Sequence, residues 1–222
     1  MRVGGRHASL SPRFHDNRPK TSAKDTQARI VKCAAVAFAQ HGFRAATMRE
    51  IASAAAVNEI TVYRHFPRKQ DLYWEAVDWK LRSSGIADAL KQALIEGEDL
   101  PHLLQNLSEV VMHIAQQDKT FGRLMYFTAL ELKGEKTRVF DVHVKPLLNL
   151  LTERIQRWVS AGDLRAVDPH SAALALAGVM LSQCNLNGLL SDVGYSNRST
   201  EVLSKEFMDM IALGLSVGSQ RR

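Results

Sequence analysis

Thr47, Arg49, Glu59, Ile60, Thr61, Tyr63, His65 and Lys69 fall within one short stretch, TMREIASAAAVNEITVYRHFPRKQDL, and their side chains suit the surface of a DNA duplex. A guanidinium can pair with a guanine edge, a carboxylate can accept from a cytosine amino group, and an aliphatic tip can pack on a thymine methyl. Those roles are open to Arg49, Glu59 and Ile60, with Thr61 suited to either base or phosphate. Tyr63, His65 and Lys69 carry donors of the kind that phosphates accept, contacts that add affinity and salt dependence but little sequence information. Plainer roles stand beside these: Arg49 as a surface ion-pair partner, Glu59 as a complement to a helix dipole, Ile60 as an uncommitted surface residue.

Positioning such groups requires two short helices around a tight turn. Thr47 and Glu50 stand at capping-box spacing, which starts the first helix and makes Thr47 primarily a cap. Its inward face carries Ile51, Ala52 and Ala55, and the small residues Ala54, Ala55 and Ala56 lead to Val57, where a second helix can cross closely. Asn58 caps that second helix, whose Val62 and Phe66 lie four apart on one face. Upstream, Ile30, Ala34, Ala37 and Phe38 recur at helical spacing from about Ser22 to His41, and Gly42 is placed to end this bracing helix.

As a set, Ala34, Phe38, Gly42, Phe43, Thr47, Arg49-x-Ile51-Ala52, Ala56-Val57, Thr61-x-Tyr63-x-His65-Phe66, Lys69 and Leu72 resemble the DNA-binding domain of the tetracycline-repressor (TetR) family of bacterial regulators. The resemblance covers about Ile30 to Leu72. It implies an all-α chain with an N-terminal three-helix helix-turn-helix domain and a larger C-terminal helical ligand-binding and dimerisation domain. It also implies DNA contacts from Thr47, Arg49, Asn58, Glu59, Ile60, Thr61, Tyr63, His65 and Lys69. The corresponding divisions are 1–21 as a flexible basic tail, 22–68 as the DNA reader and 69–222 as the regulatory domain. Three positions depart from the family pattern: Ala56 replaces a usual glycine, Ile60 a small residue, and Arg68 a side-chain cap.

The charge distribution agrees with a DNA reader. Met1 to Lys80 holds 14 Lys and Arg against 7 Asp and Glu, net +7, whereas the remainder holds 15 against 16, net −1. A solvated basic surface would show the same asymmetry, so the motif decides the reading. Met1 to Lys20 mixes Gly4, Gly5, Pro12 and Pro19 with five basic residues, a composition unable to bury a core; a minor-groove arm and a disordered leader are both open. Cys33 and Cys184 suggest reduced thiols or a redox pair rather than a disulfide framework. No signal peptide or bilayer-spanning run is present, and a cytoplasmic protein is expected.

Beyond the reader, a fourth helix is expected from Gln70 to about Ala93, interrupted near Ser83-Ser84-Gly85. Further helices are expected from Pro101, from Thr120 to Leu132, from Lys136 to Ala161, from Asp168 to Leu190 and from Ser199 to Val217. Pro146 either kinks the third of these or marks its true start. The last two combine small residues with an apolar stripe, and core packing and self-association are both open. The family resemblance implies a homodimer through Ala173, Ala177, Met180, Leu203, Phe207, Met210 and Ile211, placing two readers on a palindromic operator in double-stranded DNA. It likewise implies a small apolar or aromatic effector contacted by Trp74, Trp79, Met112, His113, Phe121, Met125, Tyr126, Phe127, His143 and Gln183. These residues also suit ordinary core packing. No P-loop, dinucleotide fingerprint, paired-cysteine zinc motif or HExxH occurs, so neither cofactor, metal nor catalysis is expected. A DNA-binding architectural protein without an effector is the alternative; a helical enzyme is a distant third.

Overall fold

A computed structural model describes residues 22–131, 139–192 and 200–217, and their regular elements are helices. Helix α1 (Ala23–Ala45) starts on a reciprocal cap: Ser22 Oγ accepts from the Asp25 amide at 3.1 Å, and the Asp25 carboxylate accepts from the Ser22 amide at 3.2 Å. Ile30, Val31, Ala34, Phe38 and Ala39 bury one face of it. Gly42, at φ 76°, breaks the regular helix where the sequence expects an end, because glycine enters this positive-φ region without the steric cost of a Cβ.

Helices α2 (Met48–Ala54) and α3 (Glu59–His65) follow. Between them the Val57 amide donates to the Ala52 carbonyl at 3.0 Å and the Ala56 amide to Ser53 at 3.0 Å. This is a Schellman ending whose left-handed position is filled by Ala56 at φ 51°, a conformation that costs an L-residue about 1 kcal/mol. Arg29 on α1 offsets the cost by donating from Nε to the Ala55 carbonyl at 2.8 Å, pinning the turn.

Helix α4 (Lys69–Ser84) lacks a side-chain cap at Arg68, as the sequence indicates. Arg68 instead clasps Asp71 through Nη2 at 2.6 Å, beside the electropositive first turn. Gly85, at φ 67°, divides the expected fourth helix in two, and α5 (Ile86–Glu96) leaves in a new direction. Helix α6 (Leu100–Gln117) is capped by Asp99 on the His102 amide at 2.9 Å, with Pro101 in its first turn. After α7 (Lys119–Glu131), a wide-turn π segment (Phe140–Val144) runs into α8 (Lys145–Ala161). Pro146 stands just after this widened turn, at the start of the regular helix, and supplies no amide hydrogen to the turn before it, which is where the helix departs from α geometry. Helix α9 (Pro169–Asp192) is capped by Asp168 on the Ser171 amide at 2.8 Å, and α10 (Thr200–Leu215) closes the fold.

Two apolar clusters organise these helices. The first joins α1 to α4 with Phe121 and Leu124 of α7, so the reader's core extends past residue 68 into the regulatory helices. Phe38, Phe43, Tyr73 and Trp74 stack edge-on within it, Tyr73 lying 4.8 Å from Phe38 and 5.3 Å from Phe43 between ring centroids. The second joins α5, α6, α8, α9 and α10 around Leu103, Leu104, Ile155 and Leu176. Cys33 is a half-buried free thiol, whereas the side chain of Cys184 lies outside the described residues, as does the basic tail. No described helix is long and apolar enough to cross a membrane.

Candidate nucleic-acid interface and apolar cavity

Helix α3 is a wedge with opposite faces. Val62 and Phe66 are locked in the first core, while Ile60 and Tyr63 stand 76% and 46% exposed with Arg64 beside them. An aliphatic side chain left in water gains nothing from its own fold, and Ile60 is the large apolar group most exposed on this face. Thr47 and Arg49 are exposed at the start of α2; Glu59, Thr61 and His65 are half-buried. Asn58 Oδ1 accepts from the Ile60 amide at 2.9 Å, and Thr47 Oγ1 from the Glu50 amide at 3.1 Å. Both residues thus hold the reader's helix starts. The Glu50 carboxyl is held below its ordinary range, first by the Thr47 amide and then by the Thr47 hydroxyl.

Lys69 is positioned from two sides. Its Nζ donates to the Arg44 carbonyl at 3.1 Å and sits 4.9 Å from the centroid of the Phe43 ring. This fixes a cation at the junction of α1 and α4, alongside the α3 wedge. The His65 ring buries its Nε2 without a protein partner, leaving Nδ1 as the atom of that ring suited to a phosphate.

In the other half, α4 to α9 surround a cavity of about 200 Å³. Among the described residues its walls are aliphatic, aromatic and thioether groups, with His143 the one polar residue at its edge. Of the expected ligand residues, Phe121, Met125 and His143 line it; so do Ala177 and Met180, expected at a dimer interface. Trp74 and Trp79 pack on the first core instead, and Met112 faces a separate groove beside α10. His113 and Tyr126 are exposed, Phe127 is half-buried against the Tyr126 ring, and the Gln183 side chain lies outside the described residues. The reason is rotational. Phe121 and Met125 are four apart on one face of α7, whereas Tyr126 and Phe127 are turned about 100° and 200° away from Met125.

The family model for bacterial regulatory proteins of the tetR family matches residues 30–76, spanning α1 to the middle of α4. The chain is also 31% identical over 209 residues to the HTH-type transcriptional regulator AcrR of Shigella flexneri, covering 89% of this chain and 91% of that one. The chain belongs to the TetR family. Among solved structures it resembles AibR in complex with isovaleryl coenzyme A and operator DNA (TM-score 0.64, 16% identity, 83% of this chain and 97% of that one). It also resembles the ketosteroid transcriptional regulator KstR2 of Mycobacterium tuberculosis (TM-score 0.65, 15% identity, 90% and 100%). At these identities the likeness establishes the fold alone.

As a TetR-family transcriptional regulator, the protein must connect its reader to its C-terminal helices, and several residues without a motif make that connection. On α7, Arg123 donates from Nε to the Ala39 carbonyl at 2.9 Å and from Nη2 to Gln40 at 3.2 Å, gripping the end of regular α1. Tyr73 on α4 shares a 2.7 Å hydrogen bond with Thr128, and Lys80 pairs with Asp118. Asp78 on α4 meets His143 Nε2 at 2.6 Å and Arg82 at 2.9 Å. Isolated charged residues far apart in sequence carry no spacing signal, so sequence reading misses Arg29, Asp78 and Arg123. Among the residues expected at a dimer interface, Ala173 is fully buried in the chain's own core, and Ala177, Leu203 and Ile211 are half-buried. Phe207 and Met210 are exposed, as are Val202 and Leu213 on α10, Leu174 on α9 and Val217 just past α10, and these residues are the outward apolar set of the two helices.

Proposed function

We propose that this regulator is a homodimer that binds a palindromic operator, represses transcription from it, and is released by a small apolar effector. The observation that carries the DNA reading is the α3 wedge, one side anchored by Val62 and Phe66 and the other presenting Ile60 at 76% exposure. In this reading Arg49, Glu59, Ile60 and Thr61 contact base edges, whereas Tyr63, His65 and Lys69 contact phosphates. Asn58 and Thr47 set the helix starts at the duplex. Residues 22–68 are the reader, 69–222 regulate and dimerise, and the outward apolar set on α9 and α10 is the surface that pairs the protomers. Two such readers related by a twofold axis address half-sites about 34 Å apart.

The cavity supports the effector, since a packed regulatory domain would have no room for one. AibR is held with isovaleryl coenzyme A, and KstR2 is described as a ketosteroid regulator; both descriptions favour ligands with substantial apolar parts. A ligand acts only through unequal affinity for the two conformations. A 100-fold preference for the form that does not hold DNA corresponds to about 2.7 kcal/mol, enough to vacate a marginally occupied operator.

Selection of bound DNA from a random pool by the purified protein, followed by titration of the complex with hydrophobic candidates, tests both halves. A palindromic consensus and release by an apolar compound are expected. Absence of any preference over bulk DNA at moderate salt sinks the operator reading; unchanged operator affinity across a broad apolar set leaves the architectural alternative.

A further inference from the structure

The cavity that α4 to α9 surround is walled by carbon and sulfur. Among the described residues, Leu81, Ile86, Phe121, Met125, Leu147 and Met180 typify its lining, and almost no nitrogen or oxygen surface opens into it. His143 borders it at one edge, with Nε2 engaged by Asp78 at 2.6 Å. A molecule entering this space gives up its hydration and receives only dispersion contacts in return. A hydrocarbon gains by that exchange. A hydroxyl left without a partner weakens binding by about 5- to 150-fold, and a carboxylate or ammonium without a counter-ion by far more.

We infer that the molecule received here is a hydrocarbon of single-ring scale, such as an alkylbenzene, and that the cavity selects it by rejecting any hydrogen-bonding group. This rests on the effector reading of the cavity and narrows the ligand's chemistry. At about 200 Å³ the space exceeds the roughly 150 Å³ apolar cavity that admits benzene in an engineered protein, so a substituted single ring is a fitting scale. Apolar cavities of this kind stay dry, so the hydrocarbon has no ordered water to displace. Leu81, Ile86 and Phe121 belong both to these walls and to the apolar cluster that holds α1 to α4 together. Filling the cavity therefore bears directly on the reader's own core.

Calorimetry on the full-length protein at pH 7, with 4-ethyltoluene, 4-ethylphenol and 4-ethylbenzoate as probes, separates polarity from shape, because a methyl group and a hydroxyl occupy nearly the same space. The hydrocarbon is expected to bind at least about thirtyfold more tightly than the phenol, which combines an unpartnered hydroxyl with the lost burial of one methyl. The benzoate is expected not to bind. Ala177→Phe, which places a ring in the cavity, should weaken the hydrocarbon by about tenfold or more. A second readout needs no substitution: in spectra of wild-type protein labelled at its methionine methyls, the Met125 and Met180 signals shift with 4-ethyltoluene. A smaller preference over the phenol, binding of the benzoate, or hydrocarbon binding that leaves both methionine signals in place overturns the inference. Operator affinity, followed by fluorescence anisotropy with the same compounds, separates ligand chemistry from effector role. If the hydrocarbon binds with the expected preference and operator affinity is unchanged, the ligand assignment stands and the effector reading falls. If the phenol or benzoate moves the methionine signals and releases DNA at least as well as the hydrocarbon, the effector cavity stands and the hydrocarbon assignment falls. If no probe binds, both fall.

Discussion

Replacing Lys69 by Met removes one cation and keeps most of the apolar stem, so its effect on DNA binding isolates charge. The Nζ is held 3.1 Å from the Arg44 carbonyl and 4.9 Å from the Phe43 centroid, where it can serve a single phosphate per protomer. Each phosphate contact contributes about 0.9 to the slope of log affinity against log salt. Two protomers on one operator therefore lose about 1.8 from the magnitude of that slope. Between 50 and 200 mM salt, the wild type should lose about 12-fold more affinity than the variant, since fourfold in salt raised to the power 1.8 is about 12. Fluorescence anisotropy across that salt range, on both the selected operator and unrelated DNA, provides the measurement. The slope must fall similarly on both, because a phosphate contact is blind to sequence. An unchanged slope, or a change confined to the operator, refutes the assignment of Lys69 to a phosphate. Circular dichroism guards against a trivial cause, as loss of the cation–π contact costs about 0.5–1 kcal/mol of stability.

Ile60→Ala should leave the salt slope intact and relax preference at one base pair per half-site by about 1 kcal/mol, measured by repeating the DNA selection; unchanged preference would return Ile60 to a plain surface role. Met210→Asp combined with Leu213→Asp places charge in the outward set on α10, where Leu213 is 77% exposed, and should convert dimer to monomer in sedimentation without loss of helicity. A dimer that persists would move the interface elsewhere. Burial pushes the Asp118 carboxyl up, but the Lys80 ammonium and the Thr120 and Phe121 amides outweigh it and leave the group below its ordinary value of 3.8. A depressed folded value means that its stabilisation is present at neutral pH and is lost as pH falls through the folded value, below 3.8. Asp118→Asn should accordingly lower the unfolding free energy measured in urea at pH 7 by about 1 kcal/mol, with the deficit shrinking in acid; a constant deficit would deny the ion pair that role.

The helix boundaries and the identity of the reader were legible in the sequence because they rest on short-range chemistry. Thr47 with Glu50, Asn58 before Glu59 and Asp168 before Pro169 each act within a few residues, and all three caps form as their spacing indicates. Gly42 and Gly85 interrupt helices for an equally local reason, the freedom of glycine at positive φ. Ile60, Tyr63, Val62 and Phe66 could be sorted into outer and inner faces because α3 is short and its inner pair is unambiguous.

Only the packed tertiary structure decided what the regulatory helices face. Nearly every turn of α7, α9 and α10 is apolar, so periodicity does not say which stripe meets the core, which a cavity and which another surface. Ala177 and Met180 read as interface residues and line the cavity, while Leu213 and Val217 stand outward. The contact between Asp78 and His143 joins residues 65 positions apart, and that of Arg123 with Ala39 joins residues 84 apart. Such pairings depend on the crossing angles and rotations of whole helices, which sum many weak apolar contacts distributed along the chain. Local spacing carries the caps and the reader's motif; the cavity exists only once distant helices have packed around it.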